Sequence, residues 1–162
     1  MALDLIDELD GLIALLDRAG IEYAVCGGLA LAVHGHPRAT EDIDLLVRHE
    51  VLGEVLRIAK GSGFDIPARP ITFGLRTGTP RKVQRVSKLD PDTNDLVTLD
   101  LLDVSPDLED VWEGRISIPW RGKVIRVVSV DGLLKMKRLA GRPQDLLDIA
   151  KLTGTSTDDE EP

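Results

Sequence analysis

The chain of 162 residues has a single cysteine, Cys26, so no disulfide can form within it. No Cys/His spacing of the zinc-binding kind occurs either. Aromatic residues make up only 3%, so Leu, Val, Ile and Ala must fill the core. No apolar run approaches the roughly 20 residues that a membrane-spanning helix needs. The N-terminal MALDLIDELD is acidic from its first turn, unlike a signal or transit peptide. These absences predict a soluble, cytoplasmic protein with no membrane partner. What is present, 43% hydrophobic and 30% charged residues, suits one domain with a sizeable core. Residues 1–152 are expected to form it, with 153–162 a disordered acidic tail.

The net charge is −8, and residues Asp158–Glu161 hold four of those charges. Basic residues cluster instead. Between Ile66 and Leu89 lie Arg69, Arg76, Arg81, Lys82, Arg85 and Lys88 and no acid. A second set is Lys135, Lys137, Arg138 and Arg142. An acidic chain with local basic stretches is compatible with a phosphate compound and excludes a general nucleic-acid coat. On charge alone, the first stretch reads as a solvated basic hairpin.

Apolar spacing predicts an amphipathic helix over 3–19, stopped by Gly20, and another over 51–59. Strands are expected at 22–26, 42–47 and 96–102, and hairpins over 71–88 and 116–128. A short helix should follow Ser105-Pro106, and Ser129 should cap a helix over 130–140. Pro143 opens a last one. The fold class is α/β (α+β), a mixed β-sheet flanked by helices.

The chemistry concentrates between Val25 and Val47. Asp42 and Asp44 alternate along a strand, so both carboxylates share one face and Ile43 points to the other. Aspartate is depleted in strands, and two neighbouring carboxylates repel unless a cation lies between them. A divalent cation with oxygen ligands, Mg²⁺, satisfies both. Gly27-Gly28 stands between a strand and a helix, where backbone amides can approach a phosphate. Thirteen residues separate Gly28 from Asp42, enough for one short helix and a return. Asp100 lies inside the most apolar strand, where an unpaired charge costs several kcal/mol. Asp103, at that strand's end, reads as solvated. Three carboxylates beside phosphate-binding amides fit metal-assisted phosphoryl or nucleotidyl transfer.

In these residues the chain resembles the nucleotidyltransferase superfamily of the DNA-polymerase-β type. The pattern Gly-Gly…Gly…Arg…Thr…Asp-Ile-Asp-Leu is matched by Gly27, Gly28, Gly35, Arg38, Thr40 and Asp42–Leu45. It is most similar to small bacterial members: AbiEii-like toxins and the lincosamide and aminoglycoside nucleotidyltransferases. Leu134–Asp148 is similar to a late Lys…Arg…Asp motif of the AbiEii-like group. The separate C-terminal helical domain of many relatives is not found in the chain. The resemblance implies Mg²⁺-dependent transfer of a nucleoside monophosphate from an NTP. Asp42, Asp44 and Asp100 would be the catalytic, metal-binding residues, and Gly27, Gly28, Arg38, Thr40 and Lys137 would bind nucleotide. RNA, tRNA included, in a toxin–antitoxin setting ranks slightly above a small hydroxyl compound as acceptor. A cognate antitoxin or helical partner protein is expected. The alternative is a non-catalytic binding or antitoxin subunit of the same fold.

Lys137 also stands out by spacing. It falls in the apolar stripe Val130, Leu133, Leu134 and Ala140, so it either snorkels from the core edge or reaches a phosphate. Lys137→Met is expected to preserve or raise the melting temperature. Asp145 and Asp148 read as acids favouring a helix dipole. His34 and His36 read as loop residues, and Trp112, Trp120 and Tyr23 as packing.

Overall fold

The computed structural model describes residues 3–37, 39–68, 71–73 and 81–154. Arg38 and residues 69–70, 74–80 and 155–162, on which several expectations bear, lie outside the described residues. The elements run α1 (Leu5–Arg18), β1 (Ala24–Cys26), α2 (Gly27–Val33), β2 (Asp42–Val47), α3 (Leu52–Gly61), β3 (Ile66–Pro67), β4 (Ile71–Phe73), β5 (Arg81–Leu89), β6 (Leu96–Asp103), α4 (Glu109–Glu113), β7 (Ile116–Trp120), β8 (Lys123–Val127), α5 (Val130–Ala140) and α6 (Pro143–Thr153). Short 3-10 turns precede α3 and α4. No described helix is long and apolar enough to cross a membrane.

Local chemistry sets the boundaries. Asp4 caps α1 by accepting from Asp7 N, and Gly20 takes the left-handed conformation just beyond its end. Ser129 caps α5 by accepting from Gly132 N, and Gly141, at φ 64°, ends it. The strands form one mixed sheet in the order β3-β5-β6-β2-β1-β8-β7, with β4 also paired to β5. β2 runs parallel to β6 and antiparallel to β1, and β5 runs antiparallel to β6. The two-residue β3 has no signature in the sequence; it pairs with Val86 and Ser87 where β5 outruns β4.

The core is aliphatic, as the composition requires. Leu9, Leu12, Ile13 and Leu16 of α1 are fully buried, as are Ile43, Leu45 and Val47 of β2 and Leu99 of β6. Tyr23 and Trp112 join them, the indole flanked by the guanidinium groups of Arg48 and Arg115 at 5.4 and 4.0 Å. Trp120 lies at the core edge and donates its indole N–H to Asp10. β2 is thus apolar on the face of Ile43, and its other face carries Asp42 and Asp44 to the cleft described next.

Candidate active site

Asp42, Asp44 and Asp100 meet because of strand register. Asp44 of β2 is the direct parallel partner of Asp100 in β6. Both side chains therefore stand on one face of the sheet, with Asp42 two residues away on that face. They form the floor of a cleft of about 810 Å³ whose walls include Gly27, Gly28, Thr40, Lys137 and Arg142. Its far end is apolar, with Val83, Leu102, Leu108 and Met136.

The carboxylates are under strain from one another. Burial in the cleft pushes Asp44 up to about 7, and the negative charges of Asp100 and Asp42 add to the shift. Asp42 is raised as well, by burial first and then by Asp100. Asp100 is relieved by a residue of β5. Arg85 stands opposite it in antiparallel register and donates Nε–H to Oδ1 at 2.7 Å and an Nη2–H to Oδ2 at 2.9 Å. Asp100 is 5% exposed, so this fork supplies the pairing that a buried carboxylate requires.

Gly27 makes room for a carboxylate. It sits at φ 65°, and a Cβ placed there would lie 2.1 Å from Oδ2 of Asp44 and 2.7 Å from its Cγ. The absent side chain is the space the carboxylate occupies. Gly28 is buried at the start of α2 and lines the cleft. Thr40 sits at the rim, with Oγ1 at 3.4 Å from the backbone N and O of Asp42.

Lys137 lies neither at the surface nor free. It is 5% exposed, and Nζ donates to Oδ2 of Asp148 at 2.8 Å, with Asp145 at 3.8 Å. Asp145 and Asp148 are 1% and 0% exposed. Asp145 does serve the first turn of α6, accepting from the backbone N–H of Arg142, and both acids are in addition the buried partners of Lys137 and Arg142. Arg142 donates through Nε to Asp145 at 2.7 Å, and Gln144 donates to Asp148 at 3.0 Å. This network fastens α6 to α5 along the cleft wall. The expectation of a solvated basic hairpin changes too: Arg85 serves Asp100, and Lys88 bonds Glu8 at 2.9 Å. Asp103 is paired on one oxygen with His49 at 3.0 Å, while its other oxygen is buried without a partner. His34 ends α2 and donates Nε2–H to the Val128 carbonyl at 2.8 Å, a structural role.

Sequence reasoning missed Arg85 and Arg142 as cleft residues. The alternation Val83, Arg85, Ser87 against Leu102, Asp100, Thr98 holds the signal for Arg85, but only once β5 and β6 are known to pair. Three carboxylates suit a hard divalent cation by donor chemistry. Among the described residues, however, no three such groups are already gathered as a metal site, and Arg85 bonds both oxygens of Asp100. The donor set fits Mg²⁺, and the mutual repulsion at Asp44 and Asp42 is what a cation there would remove.

The family model of the aminoglycoside-2''-adenylyltransferases matches residues 8–152. The chain belongs to this family. It is therefore a nucleotidyltransferase, and the three-carboxylate cleft is its candidate active site. Comparison with curated proteins gives no match. Among solved structures, this family member is similar to the lincosamide antibiotic adenylyltransferase LnuA with lincomycin bound, at 13% identity and TM-score 0.57, covering 93% of this chain and 97% of that one. It is similar to ANT(2'')-Ia in complex with adenylyl-2''-tobramycin at 15% identity and TM-score 0.59, covering 93% and 89%. TM1012 from Thermotoga maritima shares 17% identity at TM-score 0.58, covering 96% and 98%. At such identities the likeness establishes the nucleotidyltransferase fold.

Proposed function

We propose that this adenylyltransferase-family protein transfers AMP from Mg²⁺·ATP to a hydroxyl group of a small molecule. The observation that carries the reading is the register that sets Asp44 beside Asp100, with Asp42 on the same face. Asp42, Asp44 and Asp100 would hold Mg²⁺, which when bound screens the triphosphate and polarises the α-phosphate. Gly28 lets the chain approach the phosphates closely at the start of α2, and Gly27 keeps Asp44 in place. The acceptor hydroxyl attacks the α-phosphorus, its proton passes to Asp100, and pyrophosphate leaves. Thr40 steadies the backbone of Asp42. Lys137 acts from the wall by holding Asp148, which keeps α6 and Arg142 beside the phosphates.

A small acceptor is preferred to RNA. The family is defined by an aminoglycoside adenylyltransferase, and two of the similar structures hold lincomycin or adenylylated tobramycin. The described basic side chains that sequence would offer to RNA, Arg85 and Lys88, are bonded to Asp100 and Glu8. In the late Lys…Arg…Asp motif that the chain shares with the AbiEii-like group, Lys137 and Asp148 tie α5 to α6. Pyrophosphate release from Mg²⁺·ATP, assayed with tobramycin, lincomycin and other hydroxylated amphiphiles, tests the proposal. Release should need both an acceptor and Asp44. Release that needs RNA instead would overturn the choice of acceptor.

A further inference from the structure

Among the described residues, three cations line the cleft, Arg85, Lys137 and Arg142. Lys137 and Arg142 are bound to Asp145 and Asp148 in the wall. Arg85 alone of the three is hydrogen-bonded to one of the three floor carboxylates. Its fork engages both oxygens of Asp100, so the guanidinium and a metal ion would compete for the same carboxylate. The guanidinium is also the looser partner: its side chain is 32% exposed, against 6% for Asp100.

We propose that Arg85 is a resident counter-cation of the site, and that it and a divalent metal ion occupy Asp100 in alternation. This rests on the metal-dependent reading above. In the free protein Arg85 neutralises the buried carboxylate, which would otherwise lack a partner. When the metal ion arrives with the triphosphate, Asp100 turns to the metal, and the guanidinium exchanges its carboxylate for phosphate oxygens. Two oxygens of a tetrahedral phosphate accept the same two-pronged guanidinium fork. The exchange keeps the number of charge-assisted bonds nearly constant. It also couples metal entry to nucleotide entry: metal alone must break the Arg85 fork with nothing to replace it, so it binds weakly. Arg85 thus positions Asp100 in the free protein and contacts the phosphates once the nucleotide is bound.

Two measurements test the exchange, both on the full chain without nucleotide. The first is Mn²⁺ binding, followed through the electron paramagnetic resonance of free Mn²⁺. Arg85→Gln should bind Mn²⁺ roughly tenfold or more tightly than wild type, the scale of one lost charge-assisted fork. Arg142→Gln, which removes an equal charge from the same cleft but leaves Asp100 held, should change affinity less than threefold or so. Equal effects of the two would reduce Arg85 to a general electrostatic influence and overturn the exchange. Arg85→Lys keeps the charge without the fork and serves should the Gln variant unfold; it too should bind Mn²⁺ more tightly than wild type. The second measurement is the Arg85 Nε–Hε resonance of wild type during Mg²⁺ titration to saturation. It should move from a hydrogen-bonded to a solvated position as metal binds. A metal that saturates the site with this resonance unmoved overturns the exchange alone. No saturable Mn²⁺ site in wild type or in either Arg85 variant overturns the metal reading itself, and the exchange with it.

Discussion

The missing side chain of Gly27 is occupied by the carboxylate of Asp44, whose Oδ2 lies 2.1 Å from where a Cβ would stand. The Gly-Gly pair and the Asp-x-Asp pair are therefore one device. Strand β1 pairs with β2 so that the backbone just beyond Cys26 packs on the aspartate opposite. Gly27→Ala must displace the carboxylate or the chain, and it meets positive φ besides. Transfer should fall at least about a hundredfold, or roughly 3 kcal/mol, and urea unfolding should show a loss of about 1–3 kcal/mol. Gly20→Ala is the control. It has the same sign of φ but open space around it, so it should cost about 1 kcal/mol of stability and leave kcat unchanged. Equal kinetic effects of the two would remove Gly27 from the site.

Asp42→Asn, Asp44→Asn and Asp100→Asn should each lower kcat/KM by at least about a hundredfold. They should differ in stability. Asp100→Asn leaves Arg85 without its carboxylate and should destabilise by roughly 1–3 kcal/mol. Asp44→Asn removes a repelled charge and should stabilise the metal-free protein. Thermal melts in chelator, set beside initial rates, check both halves.

The raised Asp44 makes metal-free stability depend on pH in a definite direction. Its carboxyl titrates near 4 when unfolded and at about 7 when folded. Between those values the native state binds more protons, so stability must fall as pH rises from about 4 to 7. The contribution has an upper limit of about 4 kcal/mol. Asp44→Asn should flatten this slope, and saturating Mg²⁺ should flatten it in wild type. A chelated wild type that gains stability over that window, after subtraction of the Asn variant, would contradict the shift.

Lys137→Met reverses an expectation drawn from spacing. The apolar stripe of α5 suggests that a methionine would sit comfortably there. The ammonium instead holds Asp148 at 2.8 Å inside the protein. Removing it breaks the buried ion pair with Asp148, while Asp145 keeps Arg142, which should cost about 3 kcal/mol. Lys135→Met, which loses an exposed pair with Asp110, should change stability by no more than about 1 kcal/mol. The double variant Lys137→Met with Asp148→Leu should recover much of the loss, a coupling that equilibrium unfolding of the four proteins measures.

Much of this was legible in the residues themselves. Asp42–Val47, Ile116–Trp120 and Val130–Ala140 form the expected elements with the expected bounds. The carboxylate triad was legible because an aspartate within an apolar strand stands out locally. What stayed hidden depends on pairing between distant segments. Nothing in residues 81–89 says that Arg85 will face Asp100, and nothing in α6 says that Asp148 will lie under Lys137. Nothing around Gly27 says that Asp44, seventeen positions away in sequence, will fill the space beside it. The two-residue β3 carries no pattern at all.

The fate of the α-phosphate tests the account most directly. The protein is incubated with α-³²P-ATP and Mg²⁺, together with either the low-mass fraction or the RNA of a bacterial extract, with the Asp44→Asn variant alongside. The account predicts label in a small hydroxyl compound, stoichiometric pyrophosphate, and no transfer by the variant. Label that appears in RNA, or transfer that persists in Asp44→Asn, would contradict it.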